Sequence, residues 1–137
     1  MRIFLSHSSK DKESYCNSVA NYLIEKLGKD SIVYDAVTFE AGEKSLDEIN
    51  RTLSMSDLYV ILLSVNAVES SWVKYELKEA YKKYNDHTLN RIYPLIIDPA
   101  LKFSDERIPE WLTNYNLKYI KDPEKIKIAF EEIEKYA

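Results

Sequence analysis

Five short apolar runs, each rich in β-branched or aromatic residues, alternate with stretches whose apolar residues recur at helical spacing, and few folds accept that pattern. The runs are Arg2 to Ser6, Ile32 to Tyr34, Leu58 to Ser64, Ile92 to Ile97 and Lys118 to Ile120. Between them, Cys16, Val19, Ala20, Leu23 and Leu27 form one helical stripe, and Leu46, Ile49 and Leu53 a second. Val73, Leu77, Ala80, Tyr81 and Tyr84 form a third, and Ile126, Ala129, Phe130 and Ile133 a last. The first and third strands are apolar nearly throughout, which calls for a parallel sheet covered on both faces. The expected architecture is an α/β, flavodoxin-like three-layer fold with a five-stranded parallel sheet in the order 2-1-3-4-5. Helix boundaries support it. Ser45 and Glu48 have capping-box spacing, Asp122-Pro123 supplies an N-cap with proline at the first helical position, and Gly28 suits a helix C-cap. Pro99 to Asn116 is open between a short helix around Trp111 and a loop.

With 137 residues, residues 1–137 are expected to form a single domain around one core. No run is long enough to cross a bilayer, and Met1 to Leu5 turns polar at Ser6 before a signal peptide could develop. A cytoplasmic protein without membrane contact is expected. The single cysteine, Cys16, has no internal partner, and two histidines far apart give no zinc spacing, so no metal is expected. A net charge of −4 argues against direct nucleic-acid binding. The only glycines, Gly28 and Gly42, sit in no phosphate-binding loop, which disfavours kinase, GTPase and dinucleotide-fold readings.

In open parallel sheets, ligands bind beyond the carboxyl ends of the strands at the switch point, here between the first and third strands. Ser6, His7, Ser8 and Ser9 follow the first strand, Asp35 to Gly42 the second, and Ser64 to Trp72 the third. At about 100° per residue, the third stripe spans roughly 80° from Val73 while Lys74, Lys78 and Lys82 point away. Glu76 falls about 60° to the other side of Val73, one turn beyond Trp72, so carboxylate and indole share a flank at the edge of the core. Partial burial beside an aromatic plane suits a carboxylate to glycosidic-bond chemistry. A surface ion pair with Lys82 or Lys83 is the alternative. His7 is open between a general base or ligand contact and a cap for the helix starting near Asp11. Asp98 has the position of a helix cap. Val37 and Phe39, in a long loop without a helical stripe, have the character of a contact surface, or fold back on the domain.

In order and spacing these segments resemble the Toll/interleukin receptor (TIR) domain family, in its bacterial NAD-cleaving form, over nearly the whole chain. Ile3-Phe4-Leu5-Ser6-His7-Ser8 resembles the opening strand and first loop, and Tyr34-Asp35 with Glu40-Ala41-Gly42 the second strand and the BB loop. Ser56-Asp57 with Val60 to Ser64 resembles the third strand, Ser71-Trp72-Val73-Lys74-Tyr75-Glu76 the W-x-x-x-E helix, and Tyr93 to Asp98 the fourth strand.

The resemblance implies an enzyme that cleaves the nicotinamide-ribose bond of NAD, with Glu76 catalytic and NAD as substrate rather than cofactor. It implies that Trp72 packs by the nicotinamide-side ribose and that Ser6, His7, Ser8, Asp35 and Thr38 line the cleft. His7 and Ser8 depart from the tyrosine and arginine common in the family. It also implies homotypic assembly in which Val37, Phe39, Glu40, Ala41 and Gly42 of one copy's BB loop complete a neighbour's site. A role as the effector domain of a longer anti-phage defence protein with a sensor domain, or as a virulence factor, follows by the same likeness. The rivals are a non-enzymatic TIR adaptor or scaffold and an enzyme like the nucleoside deoxyribosyltransferases.

Overall fold

In this computed structural model the described residues are 2–11, 17–34, 46–89, 91–102, 104–114, 118–119 and 131. They form β1 (Ile3–Ser6), α1 (Asn17–Leu27), β2 (Ile32–Tyr34), α2 (Leu46–Ser54), β3 (Leu58–Leu63), α3 (Val65–Glu69), α4 (Ser71–Asn85), β4 (Arg91–Ile96) and β5 (Lys118–Tyr119). The strands make one sheet in the order β2-β1-β3-β4-β5, and every pairing is parallel. The α/β class and parallel sheet match the expectation from the alternating pattern, and the arrangement is consistent with a flavodoxin-like fold.

The apolar runs explain the layering. Successive strand residues point to opposite faces. Phe4, Tyr59, Ile61, Leu63, Ile92 and Ile96 accordingly join Ile49 and Leu53 of α2, Ala67 and Val68 of α3, and Val73, Leu77 and Ala80 of α4 in one core. Ile3, Leu5, Leu58, Val60, Leu62, Tyr93 and Leu95 join Val19, Ala20 and Leu23 of α1 in a second core on the other face. Every residue of β3 is buried, so its run of six apolar side chains has no polar alternation to display. Each such leucine or isoleucine contributes about 1.5–3 kcal/mol by leaving water.

At the amino edge, the Arg2 carbonyl accepts from the Asp57 and Leu58 N–H groups, and Asp57 Oδ2 accepts from the Arg2 N–H at 2.9 Å. This exchange sets β1 against β3 in the register Ile3↔Leu58 through Ser6↔Ile61. Gly28 ends α1 as expected: its N–H donates to the Ile24 carbonyl, and its φ of 105° is one that side chains resist. β5 pairs with β4 from Leu95 onward, just past Pro94, whose ring has no N–H to donate.

One feature escaped the periodicity, and one open reading resolves to the short helix around Trp111. α3 occupies part of the expected Ser64 to Trp72 connection, and a 3-10 turn occupies Glu110–Asn114 in the open Pro99 to Asn116 region. Each holds five residues, little more than one turn, too short for an apolar stripe to show. The Ser45 cap, the Asp122-Pro123 start, Cys16 and the last helical stripe lie outside the described residues.

Candidate active site

α4 runs back along the sheet from the carboxyl end of β3, so its first turns lie at the ligand-binding end of the strands. Ser70 caps it, its Oγ accepting from the Val73 N–H at 3.3 Å. Val73, Leu77 and Ala80 are buried and Lys74, Lys78 and Lys82 exposed, which is the face assignment that helical spacing predicts. One turn of α4 carries both residues of interest. Glu76 is 0 % exposed, and Trp72, four residues earlier, is 36 % exposed.

Glu76 is therefore deeper than the edge-of-core position expected from its angle. Two contacts orient the helix. Asn50 Nδ2 of α2 donates to Tyr75 Oη at 3.1 Å on one flank, while Tyr81 stacks on Trp111 at 4.1 Å on the other. By helical spacing Glu76 falls on the same side of Val73 as Tyr75, the side on which α4 meets α2. Full burial also takes Glu76 out of the surface setting of the alternative ion pair. Lys82 pairs with Glu79 at 3.2 Å, and Lys83 Nζ donates to Ser54 Oγ at 3.0 Å.

The end of β1 lies at the same, carboxyl end of the sheet. Ser6, the last residue of the strand, and His7 and Ser8 beyond it are all buried. His7 Nδ1 lies 3.1 Å from the Leu5 carbonyl. Only a protonated nitrogen can donate there, which in the neutral ring leaves Nε2 as the acceptor. The turn that follows, Ser9–Asp11, starts at Ser8. The Ser8 carbonyl accepts from the Asp11 N–H and its Oγ from the Lys10 N–H.

Asp11 was missed as a site residue by sequence reasoning. It is buried, accepts from Ser64 Oγ, and accepts from Asn66 Nδ2 at 2.9 Å. Ser64 also caps α3 by accepting from the Ala67 N–H at 3.0 Å. The carboxylate thus ties the loop after β1 to the turn after β3, across the switch point. The signal was the strand register: with Ser6 opposite Ile61, Ser64 comes three residues past the pair and falls within reach of the first loop. Asp98 is a cap, as its position suggested. Its Oδ2 accepts from the Val65 N–H at 3.1 Å and its Oδ1 from the Ala100 N–H at 2.9 Å.

Asp35, Val37, Thr38, Phe39, Glu40, Ala41 and Gly42 lie outside the described residues. Among the described residues there is no cluster of three or more potential metal ligands and no helix long and apolar enough to cross a membrane.

Comparison with known proteins decides the family. The family model described as the TIR domain matches residues 3–130. The chain belongs to the TIR domain family. A relative from Staphylococcus aureus named as an NAD(+) hydrolase, TirS, is 40% identical over 106 residues, covering 77% of this TIR domain and 36% of that protein. Another from Methanobrevibacter olleyae, named as a probable 2' cyclic ADP-D-ribose synthase, is 31% identical over 109 residues, covering 78% of this domain and 31% of that protein. The TIR domain thus spans about a third of the length of these two relatives. In structure it is similar to the TIR domain of a Toll-related receptor from Hydra magnipapillata, with a TM-score of 0.70 and 10% identity over 97% of this chain and 94% of that one. That likeness is one of fold.

Proposed function

We propose that this TIR domain cleaves the nicotinamide-ribose bond of NAD, with the carboxylate of Glu76 opposite the charge that develops on the ribose. The observation that carries the reading is the pairing on α4 of a fully buried Glu76 with an exposed Trp72 one turn nearer the carboxyl ends of the strands. The names of the relatives supply the substrate class. In the reaction the C1′–N bond breaks, nicotinamide leaves as a neutral base with the bonding pair, and the ribose becomes oxocarbenium-like. A carboxylate held away from water interacts strongly with that charge. The pyridinium needs no protonation to depart, so one carboxylate suffices and no second acid is required. Water adding at C1′ and losing a proton gives ADP-ribose. Attack by a hydroxyl of the same molecule, with loss of its proton, gives a cyclic ADP-ribose.

Trp72 forms an outer wall of the cleft, with Ser6, His7, Ser8, Asp35 and Thr38 along it, and Asp11 holds the first loop in place. Val37, Phe39, Glu40, Ala41 and Gly42 of a second copy complete the site, so activity depends on self-association. In its cell the domain acts as an effector that consumes NAD during phage infection. The test is to incubate the concentrated chain with NAD and separate the products. Nicotinamide appearing in step with ADP-ribose or a cyclic isomer supports the reading, and NAD left intact at every protein concentration leaves a protein-contact role in its place.

A further inference from the structure

A cavity of about 130 Å3 opens on the flank of α4 away from α2. Its floor is Ile61 and Leu63 of β3 with Ala67 and Val68 of α3, and the stacked Tyr81 and Trp111 form a wall. An apolar space of this size is large enough to accept a benzene-sized ring. Lys74 and Lys78 also line it. Each is two positions from Glu76, about 200° around the helix, so this opening and the Glu76 flank are different faces of α4. Both lysines are exposed, and neither makes an ion pair with another described residue. Arg107, the third cation in the lining, is already held by Glu69 at 2.9 Å and Asp105 at 2.8 Å.

The geometry points to a binding site for a small amphipathic carboxylate, its ring or short chain seated on Ala67 and Val68 and its carboxylate between Lys74 and Lys78. An apolar floor alone would take any hydrocarbon. The two ammonium groups, without an ion-pair partner among the described residues, select an anion, and the cavity's size limits the apolar part to about one ring.

Calorimetric titration of the whole chain with 3-phenylpropionate, 3-phenylpropan-1-ol and 3-phenylpropylamine tests it without NAD, so the outcome is separate from the cleavage reading. The acid is expected to bind at one site about fivefold tighter than the alcohol, as two exposed charge pairs allow. The amine is expected to bind more weakly than either. In the double variant Lys74→Gln, Lys78→Gln, which alters only the surface, acid and alcohol should bind alike. In Ala67→Leu, or Val68→Phe where circular dichroism shows the first unfolded, both should be lost. No saturable binding, equal binding of acid, alcohol and amine to the native chain, or acid binding that survives filling the cavity would each overturn the assignment.

Discussion

Asp11 shows how a single side chain can organise the switch point. Its carboxylate receives the buried Ser64 Oγ and the half-buried Asn66 Nδ2, so removing it leaves the Ser64 hydroxyl without its acceptor away from water. Asp11→Ala is expected to cost about 1–3 kcal/mol in chemical denaturation. At Gly28 the φ of 105° and ψ of 160° lie in a region only glycine occupies readily, and a Cβ there would meet no atom within 4 Å. Gly28→Ala should therefore destabilise by about 1–3 kcal/mol through backbone strain alone, without a repacking signature in the core. A third residue carries a pH dependence. The Arg107 guanidinium, through a side-chain hydrogen bond, holds the half-buried Asp105 carboxyl down at about 2. A carboxylate lowered on folding stabilises above its unfolded value near 4 and loses that contribution as pH falls through about 2. The stability difference between native chain and Asp105→Asn should thus be constant above about pH 5 and shrink between pH 4 and 2.

At the scale of elements, α4 does two things at once: its apolar stripe anchors it on the sheet, and it carries the buried Glu76. Its start depends on Ser70, so Ser70→Ala should cost about 1 kcal/mol of thermal or denaturant stability. The stripe was readable because 15 residues give four turns of periodic signal, and the strands were readable because their apolar runs are continuous. The site was less so. Spacing put Glu76 at the margin of the core because a single helix has no knowledge of what packs against it, and only the folded structure shows it fully buried. Asp11 and Ser64 stand 53 positions apart in sequence, and nothing local in either segment relates them before the strands pair. α3 is too short for periodicity to reveal, although Ser64 was present as its cap.

For the whole molecule, the sheet separates two cores with β3 contributing to both, so a cavity cut in either should weaken the entire fold. Leu62→Ala, on the α1 side, is expected to cost about 2–5 kcal/mol in a single cooperative transition. The proposed activity is also a property of more than one copy, which predicts that NAD turnover per chain rises as protein concentration is raised. The central claim rests on Glu76 as the group that cleaves. The most direct measurement is nicotinamide released from NAD by concentrated native chain, Glu76→Gln and Glu76→Ala, each shown by circular dichroism to be folded. Release by the native chain, reduced by about 100-fold or more in both variants, is the predicted result. Release that continues at the native rate without the Glu76 carboxylate would contradict it.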